Sequence, residues 1–334
     1  MAQDFDFTVR ATDDQGSFAD RNFSITVNNT VVARFVAVSS SAVLHSNDGK
    51  EWIRNDALSA MQDVTFGNGR WMIPRTNMTT YQSTDGVNWT EQAYTYTNPG
   101  SMLNSSRALY TTRWDADSSK WYGLALGSNV HQFLESSDDG VTWTYLGGSG
   151  GANTTTGSAA FHKVGNTVVI REDDAIRVST DSGVTWDERQ TGLTAGVAAP
   201  RGQVIEVNGV WFVSEGAGIW RSFDTTFWTE INTDGISGMV YANGELVYQR
   251  DGGGLDINVT VDAGDNFTSY NAGAPTGQTN CRRNMAFYGG LFVIVPDNTA
   301  IMWSTNPTST WTSSTAGNTN GNILDNTLAV GVRI

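Results

Sequence analysis

Three hundred and thirty-four residues admit either two average domains or one large all-β unit, since sandwiches, barrels and propellers routinely exceed the average domain length. Glycine is abundant (36), only 3 of the 20 basic residues are lysine, and charged residues make up 16%; long Ser/Thr/Asn/Gly tracts separate short aromatic and β-branched runs, a mixture that disfavours helices. The net charge of −14 argues against nucleic acid as a ligand, because neutralising phosphates needs a basic surface.

A single cysteine, Cys281, excludes an intrachain disulfide framework and a cysteine-built zinc site. The histidines His45, His131 and His162 are far apart, so a metal site would need carboxylates, and none is expected. Residues 1–14 lack a basic region followed by an apolar one, so no secretory signal is expected there. No apolar run approaches the roughly 18 residues that span a bilayer, and no membrane insertion is expected.

In chain order, residues 4–30 read as two alternating strands joined by the polar turn Asp13-Asp-Gln-Gly16. Phe5, Phe7 and Val9 on the first strand and Phe23, Ile25 and Val27 on the second predict one apolar face. Residues 1–30 are thus expected to form a β-hairpin arm, and 31–334 a separate domain.

That second domain repeats itself. Ser136-Ser-Asp138-Asp-Gly140-Val-Thr142-Trp143 and Ser179-Thr-Asp181-Ser-Gly183-Val-Thr185-Trp186 share every fixed position of S-x-D-x-G-x-T-W. Looser copies surround Asp48, Asp85, Asp224 and Asp262, and a seventh has Asn306 in place of the aspartate. The aromatics that end the copies, at 52, 89, 143, 186, 228, 267 and 311, are 37, 54, 43, 42, 39 and 44 residues apart. Such spacing suits four-stranded propeller blades. Ahead of each copy, alternating runs end in polar turns such as Gly67-Asn-Gly69, Asn208-Gly209 and Asn243-Gly244, which are hairpin signals. The first copy leaves room after residue 30 for only the second and third strands of a blade, Phe35-Val-Ala-Val and Ala42-Val-Leu. The strand-like tail 323–334 is therefore expected to supply the innermost strand and close the ring.

The repeated motif resembles the Asp box, or bacterial neuraminidase repeat, of sialidase-like propellers, over about residues 35–334. The resemblance implies a seven-bladed all-β propeller in which each box is the turn between third and fourth strands. The aspartate would bond turn amides, the glycine would take a positive φ, and the tryptophan would pack between blades. Local physics assigns Asp48, Asp85, Asp138, Asp181, Asp224 and Asp262 the same structural role. Residues 4–30 likewise resemble the last hairpin of an immunoglobulin-like or cadherin-like repeat, of a type found in bacterial surface proteins and phage virion proteins.

Sialidases place an Arg-Ile-Pro motif before the first box and use a tyrosine nucleophile with a glutamate partner, an acid/base aspartate and three arginines. Here Arg34 lies in Arg-Phe-Val, and Ile73-Pro74-Arg75 follows the first box. Tyr241, Tyr248, Tyr288, Arg250, Arg282 and Arg283 show no spacing that makes them a set. No catalytic residues and no cofactor are expected. Aligning the ends of the second strands brings Arg75, Arg171, Glu172, Glu215, Arg250, Asp251 and Asp297 to equivalent stations on one rim, a candidate site for a sugar or a cation; mutually paired loop charges are the plainer reading of the same residues. Of the tryptophans outside the boxes, Trp114 is the one expected to be exposed in a loop. Together these readings point to a non-enzymatic bacteriophage virion component in the tail fibre, neck or capsid surface. It would attach through residues 1–30 to other virion proteins or copies of itself, with host-surface carbohydrate as a candidate ligand. The alternatives are a sialidase-like exo-glycosidase, a bacterial surface adhesin, or an assembly factor like the Asp-box propellers of photosynthetic organisms.

Overall fold

A computed structural model describes residues 2–28, 35–39, 41–97, 108–126, 131–149, 160–172, 175–191, 193, 202–215, 218–250, 256–271, 284–295, 300–318 and 327–331. The described residues contain strands, turns and bends, and no helix. The chain divides into two compact units, Met1–Val32 and Ala33–Ile334.

The first unit is one antiparallel pair, Ala2–Thr12 with Phe18–Asn28. Asp13 makes its turn by accepting the amides of Gln15 (3.0 Å) and Ser17 (2.8 Å), and Gly16 takes φ +85°. The register places Phe7 opposite Phe23 and Val9 opposite Arg21 on one face, with the two phenyl rings stacked 5.5 Å apart. The other face is mostly polar, with the exposed Phe18 ring under the Arg10 guanidinium at its turn end. There Thr8 donates to Asn22 (2.8 Å) and Arg10 pairs with Asp20 (2.7 Å).

The second unit is a seven-bladed propeller. Blade II is Thr65–Gly67, Arg70–Pro74, Thr79–Ser83 and Thr90–Ala93; blades III to VII follow in the same up-and-down order from Leu109, Ala160, Gln203, Ile236 and Met285. Blade I joins both ends of the chain: Thr327–Val330 pairs with Phe35–Val38, Phe35 opposite Val330, and Val43–Ser46 and Ile53–Asn55 follow outward. Each blade's first strand touches the first strand of the next, and the circuit closes where Thr327–Val330 meets Thr65–Gly67. The expected ring and its C-terminal closure are therefore present.

The packing follows from strand position. Middle strands lie between two neighbouring blades and are buried on both faces, so they read as continuous apolar runs. Alternate residues of Phe35–Val38 illustrate this: Phe35 and Ala37 pack with Val293 and Ile301 of blade VII, whereas Val36 and Val38 pack with Trp71 and Ile73 of blade II. Outer strands such as Asp187–Thr191 are largely exposed and polar. One element was not expected. Thr95–Thr97 adds a fifth, parallel strand outside Thr142–Gly148, which accounts for part of the 54-residue interval between Trp89 and Trp143.

The repeated turns share one hydrogen-bond plan. In blade IV, Ser179 Oγ donates to Asp181 Oδ1 (2.7 Å) and accepts the Gly183 amide (2.8 Å), while Asp181 Oδ1 accepts the amides of Val184 (3.1 Å) and Thr185 (2.9 Å). The Trp186 indole closes the turn on Gly183 O at 3.0 Å. Asp48, Asp85, Asp138, Asp224 and Asp262 accept turn amides in the same way, and Asn306 does so through its amide oxygen. The turn tryptophans enter the interblade cores: Trp52 packs against blade VII, Trp143 against blade II and Trp311 against blade VI.

Candidate functional site

The second strand of each blade ends on the face opposite the Ser-x-Asp turns, because successive strands are antiparallel. Arg75 follows such a strand in blade II and is buried. Its guanidinium donates to Ser59 O (3.0 Å) and Thr79 Oγ1 (3.0 Å), pairs with Glu91 at 2.8 Å, and lies over the Tyr81 ring. Arg75 thus braces its own blade. Arg250, at the same station of blade VI, is exposed and pairs with Asp234 at 3.1 Å. Glu215 ends the second strand of blade V, its backbone paired with Gly218. Asp251 and Asp297 lie outside the described residues.

Arg171 and Glu172 end the second strand of blade IV, and both are buried. Glu172 is a hub. His131 Nδ1, from the third strand of blade III, faces Glu172 Oε1 at 3.0 Å, and Ser149 Oγ donates to the same oxygen. Arg177 Nε donates to Oε2 at 2.6 Å and its other arm reaches Glu188 at 2.5 Å. Burial pushes the Glu172 carboxyl up, but the hydrogen bonds from His131, Ser149 and Arg177 outweigh it and hold the group below the usual glutamate range. A buried carboxylate is tolerated only when so fully partnered. The geometry ties blade III to blade IV. Ser149 and the His131 ring meet the carboxylate from two sides, and the serine bonds to Glu172 rather than to the imidazole.

A second polar junction links blades II and III. Buried Asp63 accepts Thr111 Oγ1 (2.8 Å) and the Arg113 guanidinium (3.0 Å), which also donates to Thr65 Oγ1 at 2.9 Å. On the opposite face Asp139 joins the same blades, taking Asn68 Nδ2 (2.9 Å), Arg70 (3.1 Å) and the Trp121 indole (3.3 Å).

The phenols do not converge. Tyr248 is buried and its hydroxyl accepts Asn232 Nδ2 at 2.8 Å, while Tyr241 lies on the turn face beside a cavity between blades V and VI. Burial and the Asp234 carboxylate push the Tyr248 phenol up, away from the phenolate a nucleophile requires. Arg282 and Arg283 lie outside the described residues. Trp114 departs from expectation: it sits on the strand Leu109–Asp115, half-buried, with its ring 5.5 Å from Trp121. Its Cβ also lies where a side chain on Gly67 would have to go, and close interblade packing keeps it from standing free. His131, Ser149, Asp63 and Arg113 were not singled out by sequence. The start of the third strand in blade III and the end of the second in blade IV are adjacent stations, and aligning them across blades is the signal that pairs His131 with Glu172.

No family model matches the sequence, and no curated protein matches it. Solved structures do. YCF48 bound to a D1 peptide is 15% identical, with 86% of this chain and 88% of that one covered and a TM-score of 0.56. YCF48 from Cyanidioschyzon merolae is 15% identical over 85% and 90% of the two chains, TM-score 0.52. A putative 6-phosphogluconolactonase from Bacteroides uniformis is 8% identical over 89% and 99%, TM-score 0.58. At such identities these likenesses establish the propeller fold and leave the function open.

Proposed function

We propose that this chain is a non-enzymatic structural protein of a bacteriophage particle, an Asp-box propeller displayed on the virion surface and attached through its N-terminal hairpin. The observation that carries the reading is the hairpin itself. Two eleven-residue strands expose Phe7, Val9 and Phe23 on one face, and the unit has no third strand among its described residues. A lone hairpin is marginal in water, and an apolar face with both strand edges unpaired is suited to joining a partial sheet of another protein. The rim charges support a structural assignment, because Arg75, Glu172 and Arg250 are each engaged by neighbouring side chains. Host-surface carbohydrate is the ligand proposed for that face. The test is to purify particles, identify their proteins by mass spectrometry, and locate this chain by labelled antibody under the microscope. Recovery in the particle and at its surface is expected; a chain found only in the soluble lysate refutes the proposal. Fluorogenic sialosides are expected to remain intact, and turnover abolished by substituting Arg75 or Arg250 would favour an exo-glycosidase.

A further inference from the structure

The two residues flanked by Ser or Thr and Asp in blades V and VI break the pattern of the other turns. The intervening residue is Asn47, Thr84, Ser137, Thr180 or Thr305 in five turns, but Phe223 and Val261 in blades V and VI. Both point outward, Phe223 64% and Val261 72% exposed, and blade V also exposes Phe227. Such large side chains on adjacent turns gain nothing from solvent.

Beside them the turn face opens into a cavity of about 120 Å³, walled by Val207, Val210 and Phe212 of blade V and Tyr241, Leu246 and Val261 of blade VI. An apolar cavity of about 150 Å³ takes up a benzene-sized molecule, so this one suits a single large apolar side chain. Arg221 connects the two features: it donates to Ala263 O (2.8 Å) on the cavity wall and to Asp265 (2.6 Å), and its guanidinium lies 4.9 Å from the Phe223 ring.

The surroundings are acidic. On the turn side of these two blades stand Glu206, Asp224, Glu230, Glu245, Asp262 and Asp265 against Arg221, with no Lys or His. Arg221 is engaged by Asp265, and Arg250 pairs with Asp234 on the other face. Glu206, Glu245 and Asp262 adjoin the wall residues Val207, Gly244 and Val261 in sequence. This field repels nucleic acid and anionic lipid headgroups, and two copies of the chain would set like charges against each other.

We infer that the turn face of blades V and VI binds a cationic segment of a partner protein, one large apolar side chain entering the cavity while flanking Lys or Arg residues meet the acidic surround. The site lies on the propeller itself and does not depend on the hairpin or on the virion reading.

The full chain is titrated calorimetrically with synthetic octapeptides carrying Leu, Met, Phe or Trp between Lys and Arg residues, and with the same set flanked by Glu and Asp. Binding is expected for at least one basic peptide and for none of the acidic ones, weakening as salt is raised. Val261→Arg and Phe223→Ser should each weaken it about tenfold or more, with melting temperatures unchanged because both side chains are exposed. Val184→Arg, on the exposed turn of blade IV, should leave it intact. No binding by any basic peptide, equal binding by the acidic set, or indifference to Val261→Arg overturns the inference. A dimer in sedimentation that Val261→Arg dissolves would give the face to a second copy and overturn it as well.

Discussion

The glycine of the Ser-x-Asp turn meets two demands at one position. Gly183 takes φ +96°, and a Cβ there would lie 2.1 Å from Phe133 Cδ1 of the preceding blade; Gly264 is similarly placed at φ +94° against Ile231. Left-handed backbone costs other residues about 1–2 kcal/mol, and overpacking adds roughly 1–3 kcal/mol. Gly183→Ala should therefore lower unfolding free energy by about 2–4 kcal/mol in a denaturant titration. Blade V supplies the converse, because Thr225 occupies the equivalent slot at φ +61°. Thr225→Gly should stabilise the protein by up to about 1 kcal/mol, since the left-handed penalty disappears while the added freedom of the unfolded chain offsets part of the gain. Trp143 is fully buried, with its indole bonded to Gly140 O. Trp143→Ala should cost about 3–5 kcal/mol, and a smaller loss would mean that the interblade core collapses around the gap.

The turns also predict how the blades respond to acid. Asp181 is held at about 2 by the Thr185 hydroxyl and by turn amides. Partial burial pushes Asp85 up, but the Asn88 amide and side chain with the other turn donors bring it to about 2. Aspartate in an unfolded chain titrates near about 3.9. The folded value is the lower one, so the stabilisation is fully present above about pH 4 and is lost as pH falls towards about 2. Calorimetry should show the melting temperature dropping through that window, and Asp181→Ala should flatten part of the drop while lowering stability at neutral pH. These elements were legible because their cause is local: a Ser-x-Asp turn satisfies its own amides within a few residues, and Asn-Gly between apolar runs makes a hairpin wherever it occurs. The blade junctions were not. Glu172 was recognised as a rim residue, but its partners His131 and Ser149 stand 41 and 23 positions away, and no local pattern records which side chains meet across two blades. The fifth strand Thr95–Thr97 escaped notice for a related reason, its parallel partner Thr142–Gly148 being remote in sequence.

Closure of the ring is a property of the entire chain, set by Thr327–Val330 lying against Phe35–Val38. A chain ending at residue 318 leaves the apolar strand Phe35–Val38 with an unpaired edge and separates blade I from its inner contacts, so it should be recovered aggregated or unfolded. The hairpin behaves differently. Met1–Val32 is a unit apart, and among the described residues no strand of the propeller's sheets comes from it. A chain lacking residues 1–32 should therefore stay soluble and melt at the parent temperature. The same truncation tests the proposed role most directly, through the copy number of the shortened chain in purified particles. A folded propeller missing from the particles is the predicted result, and incorporation of the shortened chain at normal copy number would contradict attachment through the hairpin.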